Sequence, residues 1–226
     1  MQEFTSTVTE IKYLNDEVFI ISLSCPDDFT FEAGQFVIIK FTEDGKPKPR
    51  SYSIFNPPSQ KGMLQSCIKL VEGGFASEIF KKTKEGDTFT IKGALGGMRF
   101  NPVTKKHMFL CTGSGITPFY SIVMEYLEKN PDHEFTLVFG TRTQKDLFLY
   151  DELTKLDKEH SNFTYIPTLT REEWDGAQGR VHAHIPEDIS DTTFYICGLK
   201  DMVLGTKEIL EEKGVASENI KFERYT

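Results

Sequence analysis

The sequence predicts two domains: an antiparallel six-stranded Greek-key barrel over residues 1–103, then a five-stranded parallel doubly wound sheet over residues 104–226. Three observations predict this. A chain of 226 residues is long for one domain and comfortable for two of about 100–120 each. The first half is a series of short apolar runs separated by turn residues, with a single helical stretch. The second half alternates strand-like and helix-like segments, the pattern of a parallel sheet covered by helices on both faces.

In the first half the candidate strands are Thr5–Tyr13, Val18–Ser24, Phe36–Phe41, Arg50–Ile54, Gln65–Val71 and Thr88–Lys92. Turn chemistry separates them: Pro26-Asp27-Asp28, Glu43-Asp44-Gly45, Asn56-Pro57-Pro58, Gly73-Gly74 and Glu85-Gly86-Asp87. One helix, about Phe75 to Lys82, follows Gly74 and turns Ile79 and Phe80 inward. Ala94-Leu95-Gly96-Gly97 and Asn101-Pro102 mark the linker.

The second half is organised around Phe109–Phe119. Met108-Phe109-Leu110-Cys111 reads as a buried strand. Thr112-Gly113-Ser114-Gly115 lets the backbone turn and approach a ligand. Thr117 reads as the N-cap and Pro118 as the first helical residue, with Phe119, Ile122, Val123, Tyr126 and Leu127 at helical spacing. Such a unit aims free N–H groups and the positive end of a helix dipole at one spot, where a phosphate would sit. It also serves as an ordinary tight turn in an α/β sheet. The remaining strands are Glu134–Gly140, Phe163–Pro167, Thr193–Gly198 and Ile220–Arg224, with helices at Pro118–Lys129, Asp146–Lys158 and Asp201–Lys213.

Composition narrows the function. The net charge of −8 makes a poor nucleic-acid binder, and nothing approaches the roughly 18 apolar residues of a membrane span. The N-terminus has neither a basic segment nor an apolar core, so no secretory signal is expected. Cys25, Cys67, Cys111 and Cys197 are scattered without CxxC spacing, which argues against zinc, disulfides or a resident iron–sulfur cluster and for a reducing cytoplasm. Almost all the excess negative charge lies in the second half. The first half gathers Lys46, Lys48, Arg50, Lys61, Lys81, Lys82 and Lys84, either a solvated face or a docking patch for an acidic partner.

The glycine turn is not a GxGxxG fingerprint, because Pro118 stands at its third position, and there is no GK[ST] for a P-loop. Four motifs in order carry a resemblance: Arg50-Ser51-Tyr52-Ser53, Gly74-Phe75-Ala76-Ser77, Thr112 to Pro118, and Cys197-Gly198. Gly34-Gln35-Phe36, Gly86-Asp87 leading to Gly93, and Glu223-Arg224-Tyr225 support them. Each is weak alone; their order across almost the whole chain resembles the ferredoxin–NADP reductase family in its minimal form, one flavin domain and one nicotinamide domain.

Strand alternation sends Arg50 and Tyr52 to one face and Ser51 and Ser53 to the other. The resemblance implies FAD, with Arg50 on its pyrophosphate, Tyr52 against the ring system and Ser53 near N5. It implies a second phosphate contact at Gly74, Phe75, Ala76 and Ser77, and backbone contacts from Cys67, Ile68 and Lys69. It places the nicotinamide nucleotide on Thr112, Gly113, Gly115, Thr117 and Pro118. Cys197, with Gly198, would align the nicotinamide for hydride transfer; taken alone it reads as a small core residue. Glu223 joins Ser53 and Cys197 as a catalytic candidate, and Tyr225 would cover the flavin face. Plant-type relatives end on that tyrosine, whereas Thr226 follows it here. Arg142, Thr170, Arg171 and Arg180 match 2′-phosphate ligands, implying NADPH, and Tyr150 would stack on its adenine.

His107, His133, His160, His182 and His184 show no metal spacing and read as surface or loop residues. No metal site is expected. The resulting expectation is an FAD-dependent NAD(P)H oxidoreductase passing electrons to a separate carrier such as ferredoxin or flavodoxin, or to a small acceptor; nothing in it calls for more than a monomer. Two alternatives stand beside it: a flavin reductase that releases flavin as product, and a module that senses NAD(P)H without turnover.

Overall fold

The computed structural model describes residues 1–225; Thr226 lies outside the described residues. The first half forms β1 (Gln2–Tyr13), β2 (Val18–Ser24), β3 (Phe36–Lys40), a small hairpin β4 (Thr42–Glu43) and β5 (Lys46–Pro47), β6 (Arg50–Ser53), β7 (Met63–Lys69), α1 (Phe75–Phe80) and β8 (Thr88–Leu95). Six of these strands make one antiparallel sheet in the order β6-β3-β8-β1-β2-β7. Just past β6, the Phe55 N–H donates to Gln65 O at 2.7 Å, and the Asn56 side chain accepts from Gln65 N at 2.8 Å. These bonds draw the two edge strands together and close the barrel.

The barrel interior holds Val8, Phe19, Ile21, Leu23, Val37, Ile39, Ile54, Leu64, Ile68 and Ile91. Phe80 of α1 plugs one end, meeting Phe19, Phe41 and Tyr52 edge-on at 5.9, 5.6 and 5.5 Å. T-shaped contacts of this kind satisfy the ring quadrupoles while burying large apolar area.

The second half forms β9 (Lys106–Thr112), a 3-10 turn (Gly113–Ile116), α2 (Thr117–Tyr126), β10 (Glu134–Thr141), α3 (Tyr150–Glu159), β11 (Phe163–Leu169), β12 (Ala177–Gln178), β13 (Thr192–Leu199), α4 (Lys200–Glu212) and β14 (Ile220–Tyr225). All neighbours in this sheet are parallel, in the order β12-β11-β10-β9-β13-β14. The five expected strands are present, extended by the two-residue β12. Period-two alternation sorts β9 between the layers: Phe109 and Cys111 pack with α2 and α3, while Met108 and Leu110 pack with α4.

Several expectations are corrected. Thr117 is the first residue of α2 rather than its N-cap; Ile116 holds that position, and the Thr117 hydroxyl donates to Ser114 O at 2.7 Å. The 3-10 turn delivers the chain already wound, so no side-chain cap is needed. The helix expected from Asp146 starts at Tyr150, because Thr143 and Asp146 form a capping box around a separate turn and Leu149 adopts a left-handed φ of 64°. β8 runs on through Ala94 and Leu95, which were expected to begin the linker.

The largest correction concerns His107 and His133, which are 1% and 4% exposed rather than on the surface. His107 Nε2 and His133 Nδ1 lie 2.9 Å apart, and Lys105 Nζ reaches His133 Nε2 at 3.1 Å. An ammonium only donates, so His133 Nε2 accepts and its Nδ1–H points to His107. His107 Nδ1 then faces the Tyr195 hydroxyl at 3.5 Å, which accepts from the Asn101 N–H at 2.9 Å. Phe100 stacks on Tyr126 at 4.3 Å and lies 4.5 Å from the His107 ring. The segment leaving the barrel is thereby fastened under the parallel sheet.

Burial, then His133 and Lys105, push the His107 pKa from 6.5 down to about 3. The fold excludes a proton that the unfolded chain accepts, so this stability is present above pH 6.5 and is lost as pH falls through that window. Thermal melts from neutral pH to about pH 5 should show it: wild type loses stability more steeply than His107→Phe. Equal slopes would assign the acid sensitivity elsewhere.

Candidate functional site

The sheet order reverses between β9 and β13, and in such sheets ligands bind outside the carboxyl ends of the strands at that point. Here those ends are Thr112–Gly115 and Cys197-Gly198, and they touch backbone to backbone. A Cβ on Gly115 would lie 2.3 Å from Cys197 O. One on Gly198, whose φ is +146°, would lie 2.4 Å from Thr112 Oγ1. Only glycine permits this approach. The Thr112 hydroxyl is buried without a partner among the described residues, a polar atom left for a ligand.

β14 lies beside β13 with Cys197 opposite Glu223 and Leu199 opposite Tyr225. Cys197, Glu223 and Tyr225 therefore share one face, aimed at the barrel. The Ser53 hydroxyl, at the end of β6, donates to Tyr225 OH at 3.2 Å, and Tyr225 donates to Ser114 O at 3.3 Å. Tyr225 also reaches the Cys197 thiol. The Glu223 carboxylate fits against Gly96, where a Cβ would come within 3.1 Å of its Oε1. So Ser53, 172 residues before Tyr225, meets Cys197, Glu223 and Tyr225 at one seam.

Burial governs the charges there. It pushes the Cys197 thiol up to about 12, so the sulfur stays a neutral thiol and not a thiolate nucleophile. It raises the Glu223 carboxyl from 4.5 to about 7. It also lifts Cys67 to about 12 and drives the Tyr52 and Tyr225 phenols further above their ordinary range.

On the barrel side, Arg50 and Tyr52 do share a face. The guanidinium lies 5.8 Å above the Phe75 ring, and Tyr52 meets Phe80. Arg50 thus stands beside the start of α1, where the first N–H groups have no partner within the helix and no side-chain cap among the described residues. The Ser77 hydroxyl accepts from Val71 N at 2.8 Å and so shapes the preceding loop. Cys67, Ile68 and Lys69 lie on β7, a terminal strand of the sheet. Ser51 is exposed. This donor set fits FAD: a guanidinium and a helix start for the pyrophosphate, a strand edge for the flat ring. When bound, FAD would supply hydride acceptance and stepwise electron release.

At the outer end of the sheet, Arg142, Arg171 and Arg180 follow three adjacent strands. Arg171 N donates to Arg142 O at 3.0 Å, Thr170 Oγ1 donates to Thr141 O at 3.2 Å, and Gly179 N donates to Leu169 O at 2.9 Å. All three arginines are exposed, and none forms an ion pair among the described residues. Tyr150 meets Trp174 edge-on at 6.3 Å. Sequence reasoning missed Ser114, which acts through a backbone carbonyl, and Trp174, whose only signal was its place between two arginines. No group of three potential metal ligands occurs among the described residues.

A flavin cradle on a barrel, joined to a nucleotide sheet whose strand ends meet it, defines a flavin- and nicotinamide-dependent oxidoreductase. Family profiles match both halves: an oxidoreductase FAD-binding domain over residues 5–100 and an oxidoreductase NAD-binding domain over 109–208. Ferredoxin–NADP reductase B of Sorangium cellulosum is 29% identical, covering 99% of this chain and 98% of its own. The phenol hydroxylase P5 protein of Acinetobacter pittii is 28% identical over the whole chain, which spans 66% of that protein. The crystal structure of a ferredoxin NADP+ reductase from Neisseria gonorrhoeae with bound FAD and NADP superimposes with a TM-score of 0.88 at 25% identity, covering 99% of both chains. The chain belongs to the ferredoxin–NADP reductase family.

The Glu223 carboxyl has a folded pKa above its ordinary value, so its stabilising contribution is full below pH 4.5 and is lost as pH rises to about 7. Glu223→Gln should gain thermal stability relative to wild type across that rise. Parallel pH profiles of the two proteins would instead mean that the carboxyl is solvated.

Proposed function

We propose that the protein is an NADPH-dependent reductase that holds FAD and delivers electrons to a separate carrier such as ferredoxin or flavodoxin. The observation that carries this is the meeting of Ser53, Cys197, Glu223 and Tyr225 at one buried seam between the flavin cradle and the nucleotide strand ends. We set the domain boundary between residues 103 and 104. Arg50, the α1 N-terminus and β7 hold FAD. Thr112, Gly113, Gly115, Thr117 and Pro118 hold the nucleotide pyrophosphate, with Gly198 beside them. Cys197 supplies a neutral wall for the nicotinamide, and Tyr225 withdraws from Ser53 to admit it. Glu223, poised near neutrality, holds or releases a proton as charge changes nearby. Four free cysteines suit a reducing cytoplasm, and no helix among the described residues is long and apolar enough to cross a membrane.

The purified protein should be yellow, and anaerobic NADPH should bleach it. Cys197→Ala should slow that reduction in stopped flow while leaving flavin occupancy and melting temperature close to wild type. A colourless protein that turns over added flavin would be a flavin reductase; nucleotide binding without bleaching would indicate a sensor.

Arg142, Arg171 and Arg180 recognise the 2′-phosphate, with Thr170 beside them. A hydrogen bond to a charged group contributes about 1.5–3 kcal/mol, roughly ten- to a hundredfold in affinity. Arg171→Ala should raise KM for NADPH by about that factor and barely alter KM for NADH. Equal losses would make the arginine structural.

The carrier is acidic and docks on the barrel. Lys48 and Lys81 are paired with Glu43 and Glu78, while Lys46, Lys61, Lys82 and Lys84 are exposed with no ion-pair partner among the described residues. Turnover with ferredoxin should fall as salt rises, because screening shortens the Debye length to about 8 Å at physiological strength. A flat salt profile removes the patch from the docking surface.

A further inference from the structure

We propose that Trp174 is a positioning residue that keeps Arg171 and Arg180 free of their own loop's carboxylates, and so sets the preference for NADPH over NADH. This rests on the NADPH assignment above.

The segment from Thr170 to Gly176 leaves β11 and returns as β12, which pairs Ala177 with Thr168 and Gln178 with Leu169. It carries Glu172, Glu173 and Asp175 within four residues, next to Arg171 and five residues or more before Arg180. A slack loop of this composition lets its opposite charges meet in water, each pair weak on its own. Each pair would cancel a cation that a phosphate needs. Yet neither arginine lies within ion-pair distance of a carboxylate among the described residues. Glu172 is turned away, accepting from Gln144 N at 2.9 Å.

The indole holds this arrangement. Trp174 Nε1 donates to Ala177 O at 2.7 Å. Gly176 lies so close to the ring that a Cβ there would sit 2.3 Å from Cζ2. The ring also meets Tyr150, the first residue of α3, at 6.3 Å between centroids. Trp174 is half-buried and is the one large apolar side chain between Thr170 and Gln178. It is the internal core of a loop otherwise made of charged and small residues. Its ring fastens positions 174, 176 and 177 to one another and to α3, leaving the flanking arginines facing solvent.

Trp174 is also the chain's single tryptophan, so its emission reports this loop alone. In the flavin-loaded protein, titration with 2′-phospho-AMP should change that emission at lower concentration than AMP does. Calorimetry with the same two probes then compares variants. Trp174→Ala should reduce the preference for 2′-phospho-AMP by about tenfold, the weight of one charge-assisted bond, and narrow the KM gap between NADPH and NADH. Trp174→Phe, which keeps a ring and loses the Nε1–H, should fall between the two and carries the test if the alanine variant does not fold. Adding Glu172→Gln, Glu173→Gln and Asp175→Asn to Trp174→Ala should restore the preference. A wild-type preference left intact by both tryptophan variants overturns the proposal, as does a lost preference that neutralising the acids fails to restore. A wild type that binds both probes equally overturns the NADPH assignment itself.

Discussion

The contact on which the rest of the structure depends is the packing of α2 against the barrel. Phe55 and Tyr120 stack at 4.0 Å with their planes within 7°, a pair worth about 0.5–1.5 kcal/mol beyond the area it buries. Ser121 donates to Asn56 O at 2.8 Å, and Glu125 accepts from Ser59 N at 3.0 Å. Val18, Ile20, Ala33, Cys67 and Met98 share one buried cluster with Phe119, Ile122 and Val123 of α2. Gly34, at φ +93°, brings its backbone against Met98 O where a Cβ would stand at 2.0 Å. Interfaces between domains are commonly polar and mobile. This one is a continuation of the core, so the bond from Ser53 to Tyr225, made between residues of opposite halves, keeps its register.

The same seam explains the electrostatics. Where the two halves close on each other, desolvation holds the Cys197 thiol and the Glu223 carboxyl toward their neutral forms. At the outer rim, Arg142, Arg171 and Arg180 stay in water. The dry end suits hydride transfer, where excluded water strengthens every remaining interaction. The wet end suits recognition of a phosphate arriving from solvent. One sheet carries both because its strand ends run from the seam to the open edge.

Some of the site was legible because it is local. The glycine turn announced the close backbone approach that Gly115 makes, and strand alternation placed Arg50 and Tyr52 on one face. The histidines were illegible for the opposite reason. His107 lies in a largely apolar strand and His133 in a polar turn, and only the pairing of β9 with β10 brings His107 Nε2 within 2.9 Å of His133 Nδ1. Likewise Ser114 contributes a carbonyl oxygen, which no side-chain pattern can reveal, and Trp174 acts on neighbours that its own loop folds back to meet.

By itself the sequence determined the element types and the order of the two halves, because hydrophobic period and turn chemistry are properties of neighbouring residues. It also determined the chemical alphabet of the site: guanidinium groups and glycine turns for phosphates, an aromatic for a flat ring. The tertiary structure alone decided which of those groups meet and in which protonation state. Cys197 and Glu223 are ordinary residues on their own strands. Parallel pairing sets them side by side, and the barrel then seals them from water, a condition that depends on every surface closing over them at once.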